Sequence, residues 1–135
     1  MGESESHNRL VKSIVDWIAS TYFNGEVRHI LADLPDRNVH SRPRKIGEAI
    51  PDAYALLPTG GVVIGEAKTS TDLENRHTEG QLRSYLRFCK LSPESLIVIA
   101  VPWPVTALAK DRLKYLKRLE KLEEVRTIVL DKLSG

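Results

Sequence analysis

Pro51-Asp52-Ala53-Tyr54-Ala55-Leu56-Leu57-Pro58-Thr59-Gly60-Gly61-Val62-Val63-Ile64-Gly65-Glu66-Ala67-Lys68 is the stretch on which the reading of this chain turns. Two short apolar runs flank a Pro- and Gly-containing connection, which is the pattern of a β-hairpin. Side chains two apart on a strand share a face, so Glu66 and Lys68 project together and Ala67 projects away. Asp52 lies across the hairpin from them. Two carboxylates and an ammonium at the end of a mostly apolar hairpin are costly to bury without compensation, and a divalent cation is the natural compensation.

Register tests this reading. A two-residue turn at Thr59-Gly60 would pair Asp52 with Ala67 and place Asp52 on the face opposite Glu66. A three-residue loop over 59–61 would pair Asp52 with Lys68 and Tyr54 with Glu66, gathering all three charges on one face. Gly-containing three-residue loops are common in hairpins, and a bulge would serve equally. An odd-length connection is therefore expected if the charges act together. An even one would leave Glu66 and Lys68 as an ordinary strand ion pair in some other α/β protein.

Pro51-Asp52, a hairpin-length gap and then Glu66-Ala67-Lys68 resembles the signature of the PD-(D/E)XK nuclease superfamily. That resemblance implies that Asp52 and Glu66 bind Mg²⁺, with Mn²⁺ able to substitute and the Ala67 carbonyl as a further ligand. It also implies that Lys68 positions or activates the attacking water. Members of the superfamily commonly draw another carboxylate from their first helix. Here Glu5 is the candidate by residue type and His7 by helical phase; each could instead be only a helix-end charge. Many members also follow E-x-K with a helix whose inward polar residue, often Gln, sits beside the metal. Gln81 stands 13 positions after Lys68 and matches; the alternative is a surface glutamine.

The rest of the chain supplies a frame. At 135 residues, with 41% hydrophobic and 28% charged residues, one globular domain over 1–135 is expected, with no room for a second. No apolar run approaches the roughly 20 residues that span a bilayer, and the N-terminus lacks the basic and apolar regions of a signal peptide. The single cysteine, Cys89, cannot form an intramolecular disulfide and falls among apolar helix positions, where a small buried hydrophobe is expected. A cytoplasmic protein follows as the expectation, and the resemblance implies a bacterial, archaeal or phage origin. The net charge of +2 permits nucleic-acid binding without requiring it.

Residues 4–23 carry Leu10, Val11, Ile14, Val15, Ile18 and Tyr22 at three- and four-residue steps, which predicts an amphipathic helix. A strand is expected over 26–31. Residues 32–48 lack periodicity and are rich in basic side chains (Arg37, Arg42, Arg44 and Lys45), with His40 among them. This segment could track phosphates or be a solvated loop.

After the hairpin, a polar loop over 69–74 leads into a helix predicted at 74–90, with Asp72 or Thr71 as its cap. His77, Gln81 and Tyr85 share one side of it, and Arg76 lies elsewhere on its surface. Residues 95–101 form a nearly continuous apolar run, the pattern of a central strand. Trp103, between two prolines, is expected to pack as a rigid corner, with stacking on a base as the alternative. A charged helix over 106–123 and a strand over 125–130 close the chain.

The expected fold is thus α/β, a mixed sheet of about five strands flanked by helices. The resemblance implies a restriction-endonuclease-like core, α-β-β-β-α-β over residues 5–101, completed by a C-terminal α-β. It further implies a DNA endonuclease, with nucleic-acid contacts drawn from Arg42, Arg44, Lys45, Arg76 and His77. A homodimer is expected if double strands are cut. A nuclease-fold module that binds nucleic acid or a protein partner without turnover is the competing expectation.

Overall fold

The computed structural model describes residues 5–35 and 42–132. Glu3, Ser4, Arg37 and His40 lie outside those residues. The chain runs α1 (Glu5–Tyr22), β1 (Ile30–Ala32), β2 (Ala53–Leu56), β3 (Val62–Ala67), α2 (Ser70–Leu73), α3 (Arg76–Leu91), β4 (Leu96–Pro102), a 3₁₀ turn (Trp103–Val105), α4 (Thr106–Glu120) and β5 (Arg126–Lys132). The five strands form one mixed sheet in the order β1-β2-β3-β4-β5. The first three are antiparallel neighbours, while β3, β4 and β5 run parallel. The parallel pairs require crossovers, which α3 and α4 supply.

Each sheet face has its own apolar core. On one side α1 lays Leu10, Val11, Ile14, Val15 and Ile18 over Ala53, Ala55, Val63, Val98 and Ala100. On the other, α3 and α4 bury Leu82, Tyr85, Leu86, Leu113 and Leu116 against Ile64, Ile97, Ile99 and Val101. Every residue of β3 is buried, which is why its sequence runs apolar rather than alternating up to Glu66. Gly65 is the point of closest approach between helix and sheet: a Cβ there would stand 2.6 Å from the Ile14 Cγ2. The missing side chain lets α1 settle directly on β3.

The hairpin register is decisive for the site. Ala53 faces Gly65, Tyr54 faces Ile64 and Leu56 faces Val62. The loop proper is residues 58–60, closed by the Leu57 N–H donating to the Gly61 carbonyl at 2.8 Å, with Gly60 in the left-handed region at φ 96°. Its length is odd, as the shared face requires. The pairing is nevertheless two residues away from the expected one: continued one step, it sets Asp52 opposite Glu66, and Tyr54 pairs with Ile64 instead of Glu66.

Other boundaries differ from the sequence pattern for local reasons. Residues 26–29 are irregular and turn, not strand: Asn24 and Gly25 take positive φ after α1, and the Ile30 N–H folds back to the Val27 carbonyl at 3.1 Å. Only residues 30–32 reach the edge of β2. The polar loop after β3 winds into α2, because Thr69 and Asp72 form a capping box. Asn75, not Asp72 or Thr71, caps α3 through the Thr78 N–H. α4 stops at Glu120 where Lys121 turns left-handed. Trp103 does not pack as a corner; the 3₁₀ turn leaves it 58% exposed. Cys89 is buried, and burial pushes its thiol up to about 12. Among the described residues no helix is long and apolar enough to cross a membrane.

Candidate functional site

The charged end of the hairpin is assembled from three elements by matched repeats. Along β3, Glu66 and Lys68 are two residues apart, a step of about 6.6 Å. Along α3, Gln81 and Tyr85 are four apart, a rise of about 6 Å. The two ladders therefore meet rung to rung. The Lys68 ammonium donates to Gln81 Oε1 at 2.6 Å, and the Tyr85 hydroxyl donates to Glu66 Oε1 at 2.5 Å. Lys68 Nζ also stands 3.7 Å from Glu66 Oε2.

Both charged side chains are deeply placed, Glu66 at 2% and Lys68 at 10% exposure. The Lys68 N–H is pinned to the Ala100 carbonyl at 3.0 Å, so the ammonium is fixed by its backbone as well as by its tip.

Asp52 arrives from the strand opposite. Its backbone N–H donates to the Gly65 carbonyl, its own carbonyl accepts from the Asp33 N–H, and its Oδ2 accepts from the Ala67 N–H at 2.9 Å. His7, one helical repeat before Ile14 on α1, brings Nε2 to 3.3 Å of the same oxygen. The buried Gly65–Ile14 contact thus sets the depth at which His7 meets Asp52.

The two carboxyl groups are driven apart in acidity. Burial opposes charge on Asp52, but hydrogen bonds from His7, Glu66 and the Ala67 N–H outweigh it and hold its pKa below the ordinary value. Burial, reinforced by the Asp52 charge, pushes Glu66 well above its ordinary value, and Lys68 offsets only part of that. Burial and the Glu66 carboxylate raise Tyr85 too, so its hydroxyl stays a donor. This is the electrostatic pattern of a like-charge pair that a cation would relieve.

The donors that could share such a cation are Asp52, Glu66 and the Ala67 carbonyl between Glu66 and Lys68. Among the described residues no group of three or more His, Cys, Asp or Glu side chains is placed to hold a metal by itself. That donor set suits Mg²⁺, which keeps several waters and takes one or two carboxylates plus substrate phosphate oxygens. It does not suit a closed structural metal site.

Of the remaining residues singled out by sequence, Glu5 is not brought to this cluster. It is exposed, and lines a separate cleft with Asn8, Arg9, Lys12 and Asp16 on the polar side of α1. Helical phase separates it from His7, which follows the buried stripe. Arg76 and His77 are exposed in the first turn of α3, one turn before Gln81. Arg42, Arg44 and Lys45 line a cavity of about 530 Å³ beside Tyr54 and Phe88.

Tyr85 is the participant that the sequence reading left out of the site. It was visible as a core residue and as Gln81's i+4 neighbour, and the strand–helix step match was the available signal. Compared with protein-family models, with curated proteins and with solved structures, the chain has no match.

Proposed function

We propose that this protein is a metal-dependent nuclease of the PD-(D/E)XK kind, acting endonucleolytically on DNA. The observation that carries the reading is the facing pair Asp52 and Glu66, with the Lys68 ammonium fixed beside Glu66 by Gln81. Asp52, Glu66 and the Ala67 carbonyl would hold Mg²⁺, or Mn²⁺ in its place. A bound metal of this kind neutralises charge at a phosphate and lowers the pKa of a coordinated water.

The protein's own groups have separable tasks. Lys68 presents a preorganised cation to the attacking water and to the phosphate's developing charge. Gln81 aims that cation without adding negative charge. Tyr85 orients Glu66, and His7 with the Ala67 N–H orients Asp52. Arg42, Arg44, Lys45, Arg76 and His77 are the candidates for backbone contact, a role that salt titration would reveal. Double-strand cutting would call for two copies of so small a domain.

One observation favours a second reading, a nuclease-fold module that binds without turnover: Glu5 adds no third carboxylate. Cleavage separates the two. Supercoiled and linear duplex, single strand, branched junction and RNA would be incubated in Mg²⁺ or Mn²⁺ with wild type, Asp52→Asn and Lys68→Met. Cutting by wild type alone supports the nuclease and names its substrate. Binding without cutting by any of the three makes the silent module the better account.

A further inference from the structure

The walls of the carboxylate site do not end at the carboxylates. On β2, two residues beyond Asp52 on the same face, stands Tyr54; on α3, one turn beyond Tyr85, stands Phe88. Both rings are partly buried against the core of this sheet face and line the cavity of about 530 Å³, together with Arg42, Arg44 and Lys45. The cavity's Tyr54 wall therefore stands two residues, roughly 7 Å, along the strand from Asp52.

Its chemistry is one-sided. Among the described residues no carboxylate lines it. Arg42 has Asp33 at 3.8 Å, and among the described residues neither Arg44 nor Lys45 has an ion-pair partner. Neither Tyr54 nor Phe88 stacks on another ring among the described residues. Cations around unpaired aromatic faces, in a volume within the usual small-ligand range, fit a flat apolar body carrying a phosphate.

We propose that this cavity is a nucleotide subsite that takes one unpaired base and its phosphate from the strand lying across Asp52 and Glu66. This inference rests on the nuclease reading for its biological sense, but not for its test. A base held there is unstacked from its neighbours and cannot be paired, so the subsite selects single strands, frayed ends or flaps over continuous duplex. Phe88 and Tyr54 supply the stacking surface; Arg44 and Lys45 hold the phosphate and Arg42 closes the rim.

Equilibrium binding in EDTA, where no metal-dependent cutting can occur, tests it. A labelled single strand and a blunt duplex of equal length would be titrated with wild type, Phe88→Leu and the double variant Arg44→Gln/Lys45→Gln. Phe88→Leu keeps apolar volume without the ring face, and the double variant alters only exposed side chains. Wild type is expected to prefer the single strand, and Phe88→Leu to weaken that binding about 10-fold while leaving duplex binding unchanged. The double variant should reduce the salt slope for the single strand by about 0.7, the value for the one phosphate that both side chains hold.

A nucleoside monophosphate should compete with the strand better than inorganic phosphate does. Equal affinity for both nucleic acids with no effect of Phe88→Leu overturns the subsite, as does phosphate competing as well as the nucleotide. Losses in both variants with no cleavage by wild type would uphold the subsite and sink the nuclease reading. Cleavage with wild-type single-strand binding by Phe88→Leu would do the reverse.

Discussion

Replacing Glu66 by Gln should make the metal-free protein more stable while removing the proposed metal-dependent cleavage. Glu66 is 2% exposed, faces Asp52 and has Lys68 Nζ at 3.7 Å. A unit charge about 4 Å away interacts by about 4 kcal/mol at an effective dielectric of 20, so Lys68 offsets part of the larger repulsion by Asp52. The burial of the charge remains uncompensated, at several kcal/mol for an ion taken out of water. The hydrogen bond from Tyr85 returns about 1.5–3 kcal/mol of that.

Gln keeps the Oε1 acceptor for Tyr85 and replaces the proton that Glu66 shares with Asp52 by an amide N–H. The expected gain is thus about 1–3 kcal/mol, or about 3–10 °C in Tm for a chain of this size. The pH dependence has a definite sign. Because the folded pKa of Glu66 is raised, its contribution to stability is fully present below the unfolded value and is lost as pH rises through the folded one. The advantage of Glu66→Gln should therefore widen with pH, by at most about 1.4 kcal/mol per unit. Thermal or urea unfolding of both proteins in EDTA from acid to mildly alkaline pH measures this. A variant no more stable than wild type at the alkaline end, or a gap that does not grow with pH, would refute the reasoning.

Other outcomes follow from the same geometry. Adding Mg²⁺ or Mn²⁺ should raise the Tm of wild type by mass action, about 2.7 kcal/mol at one hundred times the dissociation constant, and leave that of Glu66→Gln unmoved; calorimetry with and without metal reads this directly. Tyr85→Phe strips Glu66 Oε1 of its buried donor and should cost about 1–3 kcal/mol of stability, with a fall in the proposed cleavage that added metal does not restore. Gly65→Ala drives a methyl into Ile14 and should cost about 1–3 kcal/mol by overpacking, measurable by urea unfolding. Ile14→Ala should cost less in the Gly65→Ala chain than on its own, because it removes the Cγ2 that the new methyl meets at 2.6 Å.

How much of this was legible in the sequence depends on what each feature is made of. The five-strand sheet followed from apolar runs that only a strand covered on both faces explains, above all 62–65 and 96–101, and from helices whose stripes keep a strict period. Parity of the hairpin was legible too, because a one-residue slip moves every side chain to the other face. A two-residue slip preserves the face, so the pattern could not tell Asp52 opposite Lys68 from Asp52 opposite Glu66; the Leu57–Gly61 closure decides that, and it depends on where the left-handed Gly60 falls. The strand expected at 26–31 failed because edge pairing is set by the partner, and β2 offers only four residues.

The choice between Glu5 and His7 shows the limit most sharply. Residue type pointed to Glu5 and helical phase to His7, and phase prevailed because the buried stripe of α1, with the close Gly65–Ile14 approach within it, fixes which side of the helix faces the sheet. His7 stands one heptad before Ile14, about two turns along the same stripe, and so lands on Asp52; Glu5 is turned some 200° from His7 by two residues of helix. Packing far from the chemistry therefore determines which first-helix side chain meets the carboxylates. If Gly65→Ala shifts α1, the His7 to Asp52 contact at 3.3 Å should weaken with it, and the imidazole NMR signals of His7 in that variant would move while those of His29 and His77 stay in place.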